Sequence, residues 1–206
     1  MHKIFLLSPA HSGGKRAQLL LNPRAPFLLA RKLHGAQPVA LGEIFTFLSG
    51  LYFRGKLAYA RAFASPPAGL PEAYVITSNR GLVPAETAIS LDELKSFSRV
   101  EIAADDARYR RPLLRDAKQI AAQHPNVRAV LLGSISTGKY VDVLQSVFAE
   151  RLHFPIEFVG RGDMSRGGLM LRCVRARQEL EYAPVAGAIR RGKRPPRLQP
   201  LARRAL

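Results

Sequence analysis

The chain has 206 residues, 47% of them hydrophobic and 23% charged, with a net charge of +17 and a pI near 11.0. That aliphatic content excludes a wholly disordered chain, and no stretch approaches the ~18–20 consecutive apolar residues of a membrane span. The single cysteine, Cys173, excludes an intramolecular disulfide, and with His scattered at 2, 11, 34, 124 and 153 there is no zinc-binding pattern.

The charge is unevenly placed. Residues 1–70 hold nine Lys/Arg against one acid, and Gly187 to Leu206 hold seven and no acid. A balance of this kind favours phosphate-rich partners. The apolar run Ile4–Leu7 is too short for the core of a signal peptide, so the cytoplasm is the expected compartment.

Residues 3–8 read as a buried strand stopped by Ser8-Pro9, followed by a polar, Gly-containing loop to Arg16. A helix is expected near 25–34, closed by Gly35. Leu41 to Ala64 carries a helical apolar period interrupted at Gly50 and Gly55, which predicts two helices or one broken helix, with Arg54, Lys56 and Arg61 on the polar side. Ala73–Thr77 reads as a second strand, with a turn at 78–81. Ser90 and Glu93 form a capping box that opens a helix. Helices are expected over 108–123 and 140–152, and a third strand over 127–132. Alternation over 169–175 and 180–185 predicts a C-terminal β-hairpin. The expected fold is therefore α/β: a mainly parallel, Rossmann-like sheet with helices on both faces in a single domain over 1–186, then a disordered basic tail over 187–206.

Four segments carry candidate chemistry. Gly133-Ser134-Ile135-Ser136-Thr137-Gly138-Lys139-Tyr140 has the G-x-x-x-x-G-K spacing of a phosphate-binding loop between a strand and a helix, where backbone N–H groups can hold an anion. Tyr140 stands where a Mg²⁺-binding Ser or Thr belongs, so the segment reads as an anion-holding loop or a plain turn before it reads as an NTPase. Ser8, His11, Gly13, Gly14, Lys15 and Arg16 lie where a strand ends, the place at which open α/β sheets bind ligands. In Gly160-Arg161-Gly162-Asp163-Met164-Ser165-Arg166-Gly167-Gly168 the glycine density predicts a loop, with Arg161 and Arg166 able to fork onto phosphate and Asp163 as the candidate catalytic acid/base. The tail cations Arg190, Arg191, Lys193, Arg194 and Arg197 suit a sequence-independent grip on nucleic acid. No cofactor or metal is expected.

The order of several short motifs resembles a known group. An opening strand runs into Ser8-Pro9-Ala10, Phe53-Arg54-Gly55-Lys56-Leu57-Ala58-Tyr59 follows, and then Tyr74-Val75-Ile76-Thr77-Ser78-Asn79-Arg80-Gly81-Leu82-Val83-Pro84. Then come Gly138-Lys139-Tyr140, Phe154-Pro155 and the Gly160 loop. This series is similar to the YaaA-like group of bacterial proteins, which includes the peroxide-stress YaaA proteins and a related bacterial family. It is also similar to the domain that archaeosine synthases share with archaeal tRNA-guanine transglycosylases. The resemblance implies an α/β fold, an association with DNA or tRNA, and pocket positions at Ser8, Gly81, Gly138, Tyr140 and Gly160. It carries over no reaction, because Ala88-Ile89-Ser90-Leu91-Asp92 stands where an acidic Pro-Tyr segment is expected. The resulting expectation is a protein that binds nucleic acid or a nucleotide through Gly-rich basic loops, Arg80 and Gly81 among them. The alternatives are an enzyme acting on nucleotides or nucleobases (nucleic-acid modification or base transfer), and an interaction scaffold working through the tail.

Overall fold

The computed structural model describes residues 2–35 and 37–199. Its centre is a six-stranded sheet built from β1 (Lys3–Leu7), β3 (Ala73–Ile76), β4 (Leu82–Pro84), β6 (Arg128–Leu132), β7 (Leu152–Pro155) and β8 (Tyr182–Pro184), in the order β4-β3-β1-β6-β7-β8. The pairs β1/β3, β1/β6 and β6/β7 are parallel, and antiparallel β4 and β8 close the two edges. A separate two-stranded ribbon joins β2 (Val39–Ala40) to β5 (Ala88–Ile89).

The period of a strand sends successive side chains to opposite faces. Phe5 and Leu7 of β1, with Val75, Val130 and Leu132, enter one core, while Ile4 and Leu6, with Ile76, Ala129 and Leu131, enter the other. The first core is covered by α1 (Lys15–Leu21), α2 (Leu28–His34), α3 (Leu41–Ser49), α4 (Leu51–Phe63), α5 (Leu91–Phe97) and α8 (Asp163–Ala176). The second lies under α6 (Ala107–Gln123) and α7 (Gly138–Phe148). The central strands are buried on both faces, which is why they read as continuous apolar runs.

Several local signals act as expected. Ser90 and Glu93 make both reciprocal bonds of the capping box at α5. Gly50, at φ 60°, separates α3 from α4 in a conformation that favours glycine. Gly55, by contrast, does not interrupt α4. It lies within that helix against α8, where a close approach of two backbones requires it.

The C-terminal region differs most from expectation. Residues 163–176 form the helix α8, not a glycine loop followed by the first strand of a hairpin. Leu169, Met170, Cys173 and Val174 all join the first core, so their spacing belongs to a helix face. Gly167 is used there for contact with Gly55 rather than for a turn. Only Tyr182–Pro184 is a strand, and its partner is β7. A further short helix, α1, takes up Lys15 and Arg16 from the expected N-terminal loop.

Residues 189–199 have no helix or strand, yet they are laid against the domain. Arg161 donates to the Pro196 carbonyl at 3.5 Å, Arg172 to that of Gln199, and Arg190 reaches Gln145 at 3.3 Å and Asp142 at 3.5 Å. Pro195 and Leu198 turn partly inward while the cations stay exposed. Apolar and backbone contacts thus seat a segment that charge alone would leave free. Arg203 and Arg204 lie outside the described residues. Among the described residues no helix is long and apolar enough to cross a membrane.

Candidate functional site

The connection from β1 to β3 crosses one face of the sheet, and that from β6 to β7 crosses the other. The strand order therefore reverses between β1 and β6, and their carboxyl ends open a crevice at this switch point. Ser8 directly follows β1 and Gly133 directly follows β6. Ser8 N donates to the Leu132 carbonyl at 3.2 Å, and a Cβ at Gly133 would sit 2.9 Å from that of Ser8. The β1–α1 and β6–α7 loops thus leave the sheet side by side, and Gly133 is what lets them.

Two contiguous cavities occupy the crevice. The inner one, about 340 Å³, is lined by Ser8, His11, Tyr52, Ser134, Tyr140 and Asp163 among others. The outer one, about 630 Å³, shares His11 and Tyr140 with it and adds Gly13, Arg99, Glu101, Arg108 and Lys139. Arg108 already pairs with Asp106 at 2.7 Å. Arg99 and Lys139 are exposed and make no ion pair or side-chain hydrogen bond among the described residues. The Lys139 carbonyl accepts from Tyr109 Oη at 2.9 Å, which anchors the first turn of α7 beneath the cavity.

Behind the inner cavity lies a residue assigned on periodicity to the polar side of its helix. Lys56 is fully buried. Its Nζ donates to the Ser8 carbonyl at 2.5 Å and to Ser8 Oγ at 2.9 Å, and it stands over the rings of Tyr52 at 4.1 Å and Phe53 at 4.9 Å. Burial pulls its pKa down to about 7; Asp163 opposes that shift through space and Arg166 adds to it. Burial likewise pushes the Tyr52 hydroxyl up to about 12, against the field of Arg166. That hydroxyl has no hydrogen-bond partner of good geometry. Tyr140 is also raised, first by burial and then by Asp163.

The structure brings together Ser8, His11, Gly133, Ser134, Tyr140 and Asp163, with Gly13 and Lys139 at the outer rim. Gly14 lies against the His11 ring, and Thr137 stands at the N-terminal boundary of α7 with no side-chain capping bond. Other candidates go elsewhere. Lys15 is exposed on α1, and Arg16 turns back to the Phe47 carbonyl at 3.1 Å. Arg80 pairs with Glu93, and Gly81, at φ 71°, serves a turn against α6. A side chain at Gly138 would meet Asp142. Gly160 and Gly162 border the seated C-terminal segment together with Arg161. Arg166, buried, spends its guanidinium on the Phe158 carbonyl at 3.0 and 3.2 Å and on Asp163 at 3.4 Å.

Lys56 and Tyr52 were missed because helical periodicity says which residues share a face, not which face a lysine takes. The available signal was their i, i+4 spacing among large apolar residues. Set against protein-family models, curated proteins and solved structures, the chain matches none.

Proposed function

We propose that the crevice between the carboxyl ends of β1 and β6 binds a nucleotide unit, free or within a nucleic acid. The observation that carries this reading is the convergence of two cations, Arg99 and Lys139, neither paired among the described residues, on a cavity walled by the glycine-bearing loop at His11–Gly13. Cations without internal partners lose little on meeting phosphate, and small residues let a ligand approach the backbone. The seated C-terminal segment adds the exposed cations Arg191, Lys193, Arg194 and Arg197, which suit a sequence-independent contact with a polyanion. The resemblance of the ordered motifs to the YaaA-like group favours the same class of partner.

The test is fluorescence anisotropy of the full chain with single-stranded DNA, duplex DNA, tRNA and a labelled nucleotide over a salt series. One variant carries Arg99→Ser with Lys139→Ser, and another carries Gln at the five tail cations from Arg190 to Arg197. The reading expects the cavity variant to lose the preference for one ligand and the tail variant to keep it. A cavity variant that binds like the unaltered chain would sink the proposal.

A further inference from the structure

Lys56 and Ser8 are arranged for more than binding. No carboxylate among the described residues hydrogen-bonds or ion-pairs with the Lys56 amine. Among the described residues its hydrogen bonds go to both oxygens of Ser8, and it stands over the rings of Tyr52 and Phe53. A buried ammonium held only for its charge is costly without a carboxylate to meet it. Ser8 in turn opens onto the inner cavity, and so does Tyr52, whose buried hydroxyl lies beside Ser8 and Arg166 but has no hydrogen-bond partner of good geometry among the described residues. A buried hydroxyl in a cavity wall without a well-formed hydrogen bond is free to turn to a ligand atom.

We infer that Ser8 and Lys56 form a nucleophile–base pair for acyl transfer, with Ser8 Oγ attacking the carbonyl carbon of an ester or amide, Lys56 Nζ carrying the proton and the Tyr52 hydroxyl donating to the oxyanion. The substrate class rests on the phosphate reading of the outer cavity: an acyl group carried on a phosphate-bearing molecule. In the structure Nζ donates to Oγ and the Ser8 hydroxyl donates to the Leu132 carbonyl at 3.3 Å. In the neutral amine one N–H stays on the Ser8 carbonyl, the lone pair turns to Oγ, and the hydroxyl swings from Leu132 to meet it. The Oγ–C bond forms as the Oγ proton passes to Nζ. The bond to the leaving oxygen or nitrogen then breaks, and the Lys56 ammonium returns that proton to it, leaving an ester on Ser8. Water attacks this ester, gives a proton to Lys56, and the Oγ–C bond breaks; the proton returns to Ser8 and the acid departs. The titratable and charged groups facing this pair are Tyr52 on α4, Asp163 and Arg166 on α8, Tyr140 on α7 and His11 in the β1–α1 loop.

The full chain is treated with a fluorophosphonate probe and, separately, with p-nitrophenyl acetate between pH 5.5 and 9. The pair expects one adduct on the Ser8 peptide, forming faster as pH rises through about 7, and lost in Ser8→Ala. Lys56→Met, checked for folding by circular dichroism, slows labelling by a factor on the order of 10²–10⁴. Should that variant not fold, the pH dependence of labelling in the unaltered chain still decides. Absence of an adduct on Ser8, or a rate flat across this range, overturns the pair. Nucleotide anisotropy is read in parallel. Nucleotide binding without labelling removes the pair and leaves the binding proposal; labelling without nucleotide binding does the reverse.

Discussion

Gly55 and Gly167 meet backbone to backbone where α4 crosses α8. A Cβ at Gly55 would lie 2.7 Å from the Gly167 carbonyl oxygen, and one at Gly167 would lie 2.8 Å from both the Leu51 carbonyl oxygen and the Tyr52 Cα. This contact holds the helix of Tyr52 and Lys56 against the helix of Asp163 and Arg166, so the dimensions of the inner cavity depend on it.

Gly167→Ala should therefore destabilise the fold by about 1–3 kcal/mol, the usual cost of overpacking against backbone that cannot yield. Gly168→Ala is the control. Its Cβ would meet only Leu198 Cδ1 at 3.5 Å, and alanine gains up to about 1 kcal/mol over glycine inside a helix. Thermal melts of the two variants check this. An equal loss in both would mean that the crossing does not depend on Gly167.

Lys56 makes stability depend on pH in a direction that can be stated. Its pKa falls from 10.5 to about 7 on folding, so between these values the unfolded chain binds more protons than the folded one. Stability contributed at this site thus rises as pH increases from about 7 toward 10.5, and the full penalty of a buried ammonium applies below about 7. Lys56→Met removes the titration, although it leaves the Ser8 carbonyl without its donor, which costs about 1–3 kcal/mol. The expected signature is a slope: the unaltered chain gains melting temperature relative to Lys56→Met between pH 7 and 9.5. Parallel curves across that range would mean that Lys56 is not buried as a depressed amine.

Arg99 and Lys139 should register in the salt dependence of nucleic-acid binding. If each neutralises one phosphate, each single substitution to Ser lowers the slope of log K against log salt by about 0.9 on duplex or about 0.7 on a single strand. Arg16→Ser is the comparison, because that guanidinium is held by the Phe47 carbonyl away from the cavity. A slope unchanged at Arg99 and Lys139 but reduced at Arg16 would move the binding face to α1.

Much of this architecture was legible where one residue settles a local conformation. Ser90 with Glu93, Gly50 between two apolar stretches, and the short aliphatic runs of the central strands each signal their element by chemistry within a few residues. The strand-end rule singles out Ser8 and the G-x-x-x-x-G-K spacing singles out Ser134, and the fold sets the two on one cavity. What stayed hidden depended on partners distant in sequence. The glycines of 160–168 read as a loop because the helix they allow is justified only by Gly55, more than a hundred residues earlier. Lys56 read as solvated because only the fold shows that α4 turns it toward the end of β1. Arg161 read as a phosphate fork, yet its guanidinium donates to the Glu157 carbonyl at 3.0 Å and reaches that of Pro196 at 3.5 Å, since a backbone carbonyl can satisfy a guanidinium as well as a ligand does.

The seating of the C-terminal segment can be tested by the access it denies to a protease. Leu198 lies over Gly168, and Arg161 holds the Pro196 carbonyl, while Arg191 and Lys193 stay exposed between these contacts and the Arg190–Asp142 pair. Cleavage by trypsin requires the chain to detach locally into an extended form, so its rate reports the population of the detached state. Leu198→Ser removes the apolar anchor and leaves the surface ion pair, which on exposed side chains contributes about 0–1 kcal/mol. Cleavage after Arg191 and Lys193 should then speed up several-fold relative to the unaltered chain, with the melting temperature of the domain unchanged. Equal rates in the two chains would show that the segment is already free, and its cations would then act as an untethered arm whose contribution to polyanion binding does not depend on α8.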